Sequence, residues 1–168
     1  IERFPVIIKP VDEGSSKGVF LCNNREEAEE AVKKLARPII EDYIVGEELT
    51  VGVLNGKALG VLKIIPQADV LYDYDSKYAD GGSIHEFPAK IEDKSYKEAM
   101  KIAEKVHSEF GMKGISRSDF ILSEGELYFL EVNSSPGMTK TSLIPDLATL
   151  KGYTFDDVVR ITVETFLK

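Results

Sequence analysis

Residues 117–139 read RSDFILSEGELYFLEVNSSPGMT, and this stretch decides how the rest of the chain is interpreted. Two apolar runs flank Ser123-Glu124-Gly125, a pattern that predicts a β-hairpin with glycine in the left-handed region of its loop. Glu131 and Asn133 are two residues apart on the second strand, so their side chains share one face. Asp119 joins that face if the loop has an odd number of residues, which a three-residue loop at 123–125 satisfies.

Two carboxylates and an amide oxygen on one face of an apolar hairpin suggest a cation site. We expect Ile121, Leu127 and Phe129 to surround them, and like charges placed there repel unless a cation neutralises them. Hard oxygen ligands select Mg²⁺, which in proteins usually shares its coordination with substrate phosphates. A solvated polar face is the alternative interpretation, and the spacing alone leaves both open.

A second candidate site lies near the start of the chain. Lys9 follows the apolar run Val6-Ile7-Ile8 and precedes a loop that contains Gly14-Ser15-Ser16. The lysine could place its charge on a phosphate, with the hydroxyls of Ser15 and Ser16 around it. The chain contains neither GxxxxGK[ST] nor GxGxxG, so those two phosphate-binding modes are unsupported. A plain turn is the alternative for this loop.

Other polar residues carry weaker signals. Glu41 and Glu48 are either ligands for the ribose hydroxyls of a nucleotide or surface glutamates. Residues 67–90 are polar, long and without a period, which favours a functional loop. That loop contains a group that serves either packing or chemistry, formed by Tyr72, Tyr74, Lys77 and Tyr78. His107 falls on the polar side of the helix predicted from about Lys94 to Phe110, and we assign it no role.

Short-range signals predict the elements that carry these residues. Asn24 and Thr154 are typical N-caps and predict helices that begin directly after them. Asn55-Gly56 between two apolar runs predicts a hairpin with a type I′ turn. Residues 39–45 are apolar and β-branched enough to predict a buried strand. Hairpins and helices in blocks predict an α+β fold.

Composition excludes several classes of protein. The chain has 168 residues, and its formal net charge of −8 (21 − 29) argues against a nucleic-acid partner. No apolar run approaches the roughly 20 residues of a membrane helix, so we expect no membrane span. Cys22 is the single cysteine, which rules out an internal disulfide or a zinc site built from cysteines and suits a reducing compartment.

Together the motifs resemble those of the D-alanine–D-alanine ligases, a family of the ATP-grasp superfamily. The resemblance extends over nearly the whole chain, in the order of the family, and residues 130–139 are its most specific part. The motifs are Val6-Ile7-Ile8-Lys9-Pro10 with Glu13-Gly14-Ser15-Ser16, Ile40-Glu41 with Gly46-Glu47-Glu48-Leu49-Thr50, Tyr72-Asp73-Tyr74 with Lys77-Tyr78, Arg117-Ser118-Asp119, and 130–139 with Ser142-Leu143.

The resemblance implies a role for each matching residue. Two Mg²⁺ ions, with Mn²⁺ as an alternative, would be held by Asp119, Glu131 and Asn133. ATP would be bound by Lys9, Ser15, Ser16, Glu41, Tyr43, Ile44, Glu48 and Lys77. The catalytic group would consist of Arg117, Lys77, Tyr78, Ser15 and Gly137. The substrate would be contacted by Tyr78, Arg117, Gly137, Ser142 and Leu143, the last two receiving the carboxylate of the second D-alanine.

The implied activity is the ATP-dependent joining of two D-alanines through an acylphosphate, which supplies D-alanyl-D-alanine for peptidoglycan in the cytoplasm. The implied fold is a partial ATP-grasp fold, with the end of the central subdomain at 1–42 and the C-terminal subdomain at 43–168. The family's N-terminal domain and another phosphate-binding lysine would precede Ile1, so we expect the isolated chain to be inactive. The full-length protein would be a homodimer.

Two other interpretations fit the same motifs. One is a different ATP-grasp carboxylate–amine ligase, or a ligase that takes D-lactate or D-serine as its second substrate. The other is a nucleotide-binding module without activity. The segment Ile84-His85-Glu86-Phe87-Pro88-Ala89 keeps the family's Pro-Ala but lacks the residues expected before it, which leaves the second substrate less defined than the nucleotide.

Overall fold

The structure, a computed structural model, describes residues 2–13, 17–66, 83–139 and 142–167. Antiparallel strand pairs and separate helices make up these ranges, in agreement with the α+β prediction. The strands are β1 Val6–Pro10, β2 Phe20–Cys22, β3 Pro38–Asp42, β4 Glu47–Leu54, β5 Lys57–Pro66, β6 Ser83–Glu86, β7 Ile115–Ser123 and β8 Glu126–Asn133. The helices are α1 Arg25–Lys34, α2 Asp93–Glu109, α3 Leu143–Leu150 and α4 Phe155–Phe166.

The described residues up to Val45 form one compact unit, a sheet of order β2-β1-β3 with α1. Helix α1 begins after Asn24, whose side chain accepts a hydrogen bond from the Glu27 N–H, as predicted for an N-cap. Alternate residues of β1 face the core of this unit, which consists of Val6, Ile8, Cys22, Ala28 and Ala31. The alternation places Lys9 on the opposite face of the sheet.

Strand β3 differs from its prediction. The strand runs from Pro38 to Asp42, shorter than the predicted 39–45, and it lies at an edge of the sheet. Ile40 is 47% exposed, so the expectation of a buried strand is wrong. An apolar, β-branched run signals a strand in either location, and burial depends on neighbours that the local sequence does not specify.

The second unit contains Gly46 to Ile65 and the described residues from Ile84 onward, with a sheet of order β6-β5-β4-β7-β8. Asn55 and Gly56 connect β4 and β5 with φ angles of 49° and 76°, which confirms the predicted type I′ turn. Strand β6 lies inside the segment 67–90 that was expected to lack regular structure. That expectation is wrong for 83–86, and residues 67–82 lie outside the described ranges.

Helices cover both faces of this second sheet. On one face α2 packs against a core that includes Leu49, Val51 and Phe120. On the other face α3 approaches β4 at Gly52, where an added Cβ would lie 3.0 Å from Ile144 Cδ1. The missing side chain of this glycine therefore lets α3 lie close to the sheet.

His107 is the main surprise in α2. The prediction placed it on the polar side of the helix, but it is 4% exposed and its Nδ1 lies 2.8 Å from Ser116 Oγ on β7. It follows Ala99 and Ala103 at intervals of four residues, so it shares their sheet-facing side. Burial lowers the pKa of this imidazole below its ordinary value.

Helix α4 begins at the predicted cap. Thr154 and Asp157 form a capping box, in which each side chain accepts a hydrogen bond from the other residue's backbone N–H. The Thr154 hydroxyl also donates to the Asp157 carboxylate, and this bond, the one from the Thr154 N–H and one from Arg160 lower the pKa of Asp157 to about 2. None of the described helices has the length and apolar character needed to cross a membrane.

Candidate active site

The second hairpin carries the centre of the candidate site. Ser123 pairs with Glu126, so Glu124-Gly125 form a two-residue turn with φ angles of 51° and 81°. The predicted three-residue loop is therefore wrong. A two-residue turn with a regular ladder would turn Glu131 away from Asp119, yet these two residues are direct cross-strand partners.

A β-bulge in β8 restores the alignment. Phe120 pairs with Phe129 and Asp119 pairs with Glu131, so Leu130 is the additional residue of the bulged strand. Bulges re-aim side chains in this way, and they often occur next to active sites. Glu131 consequently shares a face with Asp119, as expected, although the cause is the bulge rather than the loop.

The two-residue turn and the bulge together decide which apolar residues surround the carboxylates. Phe129 packs against Phe120, with ring centroids 5.5 Å apart, and Leu127 packs against the core beneath α2. The expectation that Leu127 and Phe129 surround the carboxylates is wrong, because both lie on the opposite face. Ile121 does share the face of Asp119, two residues along the same strand.

Asp119 accepts hydrogen bonds from its own strand β7 and from the neighbouring strand β4. The Arg117 guanidinium binds it in a bidentate manner, with Nε 2.9 Å from Oδ1 and Nη2 2.7 Å from Oδ2. The hydroxyl of Thr50 on β4 donates to Oδ1 at 2.5 Å. Charge-assisted bidentate pairs are strong and geometrically specific. Arg117 and Asp119 are therefore oriented with respect to each other, and both are largely buried.

Asn133 completes the expected group of three. Its amide nitrogen lies 3.2 Å from Glu131 Oε1 and 3.5 Å from Asp119 Oδ2. Rotation of the amide would present its oxygen to the same place, giving two carboxylates and a carbonyl-type oxygen, the donor set that Mg²⁺ prefers. The described ranges contain no group of three or more His, Cys, Asp or Glu side chains that could hold a metal ion. Asn133 lies beside both carboxylates, so these three side chains are the candidate ligands at this hairpin.

Glu48 lies on the same face, one strand away. It pairs with Ile121 across β4 and β7 and is two residues before Thr50, the residue that donates to Asp119. Side chains two residues apart on a strand share a face. The structure thus brings Glu48 to the sheet face that carries Arg117 and Asp119.

Gly137 and Ser142 also come together. An added Cβ on Gly137 would lie 2.9 Å from Ser142 Oγ. The same Oγ accepts a hydrogen bond from the Thr139 N–H at 3.0 Å, so it is not used to cap α3. The N–H groups in the first turn of α3, beginning with Leu143, therefore receive no side-chain cap from Ser142 and suit an anion.

In the first unit, Lys9 and Glu41 form an ion pair, with 2.7 Å between Nζ and Oε2. Their side chains are 20% and 39% exposed, on the sheet face opposite α1. Tyr43 and Ile44 follow β3 and are half-buried. Lys9 was expected to bind the phosphates and Glu41 the adenine of a nucleotide. In this structure their charges neutralise each other.

Four of the expected site residues lie outside the described ranges. They are Ser15, Ser16, Lys77 and Tyr78. Their assignments rest on the resemblance alone and stay predictions.

The sequence model of the family described as "D-ala D-ala ligase C-terminus" matches residues 2–164. The chain belongs to this family. It is 94% identical over 168 residues to the D-alanine–D-alanine ligase of Fusobacterium nucleatum subsp. nucleatum, covering 100% of the chain and 58% of that ligase. It is 44% identical over 169 residues to the ligase of Sinorhizobium fredii, covering 95% of the chain and 55% of that protein.

Solved structures of D-alanine–D-alanine ligases have the same fold. The ligase of Bacillus anthracis matches with a TM-score of 0.84 at 30% identity, covering 98% of the chain and 55% of that structure. A structure of the Bacillus anthracis ligase complexed with ATP matches with a TM-score of 0.78 at 24% identity, covering 98% and 51%. The partial ATP-grasp fold is thereby confirmed, and the chain spans about half the length of the ligases it matches.

Sequence reasoning quoted Thr50 within the motif 46–50 but gave it no role at the candidate site. Thr50 is fully buried and donates to Asp119. The available signal was a hydroxyl within the otherwise apolar run Leu49 to Leu54, since a polar side chain in such a run needs a partner. The assignment of 1–42 and 43–168 to two ATP-grasp subdomains stays a prediction.

Proposed function

We propose that the chain is the nucleotide-binding and metal-binding part of an ATP-dependent D-alanine–D-alanine ligase. The observation that carries the proposal is the shared face of Asp119, Glu131 and Asn133 beside Arg117, in a chain of this ligase family. The product would be D-alanyl-D-alanine for peptidoglycan, made in the cytoplasm by a full-length homodimer.

Nucleotide and metal would meet at the second hairpin. Two Mg²⁺ ions, or Mn²⁺, would be held by Asp119, Glu131 and Asn133, and they would neutralise the charge of the phosphates. The ATP complex of the Bacillus anthracis ligase supports ATP as the nucleotide. The adenosine would be held by Glu41, Tyr43, Ile44 and Glu48. The phosphates would be held by Lys9, Ser15, Ser16 and Lys77.

The first step needs positioning and charge neutralisation more than covalent help. A carboxylate oxygen of the first D-alanine attacks the γ-phosphorus, the bond to the β–γ bridging oxygen breaks, and ADP leaves. Arg117 would stabilise the charge on the transferred phosphoryl group. Its orientation by Asp119 keeps the guanidinium in place before the phosphates arrive.

The second step forms the peptide bond. The amine of the second D-alanine attacks the carbonyl carbon of the acylphosphate and loses a proton, and phosphate leaves as the C–O bond breaks. The N–H of Gly137 would donate to the oxyanion. Ser142 and Leu143 would receive the carboxylate of the second D-alanine, while Tyr78 with Ser15 would close the site and favour an amine over a hydroxyl.

Substitution of the metal ligands tests the proposal in the full-length protein. We expect Asp119→Asn and Glu131→Gln each to lower D-alanine-dependent ADP release about 100-fold or more, because each removes charge that faces the phosphates. Glu126→Gln is the matched control, since it removes an exposed carboxylate from the same strand. Circular dichroism verifies that the variants fold.

Two outcomes would contradict parts of the proposal. Normal Mg²⁺-dependent rates in both ligand variants would show that the metal assignment is wrong. Turnover with another amino acid or hydroxy acid, and none with D-alanine, would refute the substrate while leaving the phosphoryl chemistry in place.

A further inference from the structure

A polar contact joins strand β6 to the first turn of α3. His85 Nδ1 lies 3.0 Å from Asp146 Oδ2, and the two side chains are 23% and 40% exposed. His85 belongs to the segment 84–89 that departs from the family pattern. The resemblance therefore assigns no role to this contact.

The donor and the acceptor of this hydrogen bond follow from the chemistry of the two side chains. A carboxylate only accepts hydrogen bonds, so the proton of this bond is on Nδ1 of His85. The bond thus selects one tautomer of the neutral imidazole and is also available to the charged form. In either form His85 holds the Asp146 carboxylate toward the edge strand β6.

Apolar contacts hold helix α3 against the sheet. Ile144 and Leu147 are fully buried, and they approach β4 at Gly52. These contacts determine how close the helix lies to the sheet. A hydrogen bond from the first turn to a neighbouring strand adds a directional restraint, which apolar packing does not supply.

This hydrogen bond is made at the N-terminal end of α3, next to the residues assigned to the carboxylate of the second D-alanine. Asp146 belongs to the first turn, three residues after Leu143, and Ser142 precedes the helix as its N-cap. The Ser142 hydroxyl is engaged with Thr139, so its position depends on where the helix begins.

We propose that His85 and Asp146 are positioning residues for the carboxylate subsite of the second D-alanine. The pair orients the first turn of α3 so that Ser142 and the Leu143 N–H meet that carboxylate. This role rests on the proposed ligase function, because it acts on the subsite which that function assigns to Ser142 and Leu143.

Steady-state kinetics of the full-length ligase test the pair. We expect His85→Ala and Asp146→Ala each to raise the KM for the second D-alanine about threefold to tenfold, with kcat and the KM for ATP within twofold of the wild type. The double variant should resemble either single variant, because residues that act as a unit are not additive. His85→Asn should restore most of the loss, since its amide N–H can replace Nδ1.

A matched control removes an exposed ion pair elsewhere. Asp93→Ala breaks the contact of Asp93 with Lys97 on α2 and should leave every kinetic constant unchanged. Additive effects in the double variant, an unchanged KM in His85→Ala, or equal effects of His85→Asn and His85→Ala would overturn the proposal.

Hydrogen exchange separates this proposal from the ligase assignment. Amides of α3 should exchange several-fold faster in His85→Ala than in the wild type, with amides of α2 unchanged. If the wild type shows no D-alanine-dependent turnover, the ligase function fails and the exchange result still decides whether the pair orients α3. Unchanged exchange in α3 would refute the positioning role.

Discussion

Two buried serines on β7 have opposite hydrogen-bonding situations. Ser116 and Ser118 are fully buried and lie on the same face of the strand. Ser116 Oγ lies 2.8 Å from His107 Nδ1, whereas Ser118 Oγ has no hydrogen-bond partner among the residues that the structure describes. The strand therefore offers an internal comparison of a satisfied and an unsatisfied buried hydroxyl.

We expect the two alanine substitutions to differ in their effect on stability. Ser116→Ala leaves a buried imidazole nitrogen without its partner and should lower the free energy of unfolding by about 1–3 kcal/mol. Ser118→Ala removes a group that is desolvated without compensation, so the free energy of unfolding should be unchanged or slightly higher. Urea denaturation measures both, and an equal loss in the two variants would contradict the assignment of the Ser116 bond.

His107 should make the protein sensitive to mild acid. Its pKa is lowered by burial, so the unfolded chain binds a proton at higher pH than the folded one. Stability is therefore fully present above the ordinary value of 6.5 and is lost as the pH falls from there toward the lowered pKa of the folded state. Melting temperatures between pH 8 and pH 5 should show this slope.

Substitution of each histidine in turn identifies which one causes the dependence of melting temperature on pH. His107→Gln should flatten it, because glutamine does not titrate, while His85→Gln should leave the contribution of His107 in place. The chain contains only these two histidines. A slope that persists undiminished in His107→Gln would show that the buried imidazole is not its source.

At the scale of elements, the start of β4 depends on a glycine. A Cβ on Gly46 would lie 2.4 Å from the Leu122 carbonyl oxygen and 2.6 Å from Ile121 Cγ2. The Leu122 carbonyl belongs to the backbone, which cannot move aside as the end of a flexible side chain can. Any larger residue at this position therefore has to push β4 away from β7.

Gly46→Ala should lower the free energy of unfolding by about 1–3 kcal/mol, as overpacking in a core does. Gly56→Asn is the matched control, because Gly56 has open space around it and asparagine tolerates its φ of +76°. That change should cost less than about 0.5 kcal/mol. Chemical denaturation compares the two, and equal stability of Gly46→Ala and the wild type would rule out the close approach.

Elements defined by local chemistry could be predicted from the sequence. The caps at Asn24 and Thr154 and the turn at Asn55-Gly56 each depend on a few neighbouring residues, and all three occur as expected. The bulge at Leu130 could not be predicted, because it depends on the alignment of two strands rather than on either strand alone. His107 was misplaced since a polar residue was assigned to the polar side, although a buried partner hydroxyl satisfies it.

At the candidate site, too, local patterns could be predicted from the sequence and long-range contacts could not. Asp119, Glu131 and Asn133 were grouped correctly from strand periodicity, although the loop argument behind the grouping was wrong. The contacts of Thr50 with Asp119 and of His85 with Asp146 were missed, since each partner lies far away in the sequence.

At the scale of the whole molecule, the chain spans 58% of the Fusobacterium nucleatum ligase and 55% of the Bacillus anthracis structure. The family resemblance assigns the contacts to the first D-alanine to an N-terminal domain. We expect the 168 residues alone to make no D-alanyl-D-alanine above background. Chromatography of the products, with the full-length ligase as control, measures this. Robust dipeptide synthesis by the chain alone would contradict it.

The bulge at Leu130 has a consequence for how this hairpin can change in length. Replacement of Leu130 by another apolar residue should leave the pairing of Asp119 with Glu131 unchanged, because that pairing is made by the backbone. Deletion of the residue would place Glu131 directly after Phe129, so that a regular ladder continuing from the Phe120–Phe129 pair again sets Glu131 opposite Asp119 and Asn133 opposite Arg117. The hairpin should therefore tolerate both the substitution and the loss of the residue at this position. Regular pairing that continued through Leu130, with the residue still present, would set Leu130 opposite Asp119 and turn Glu131 to the opposite face of the sheet.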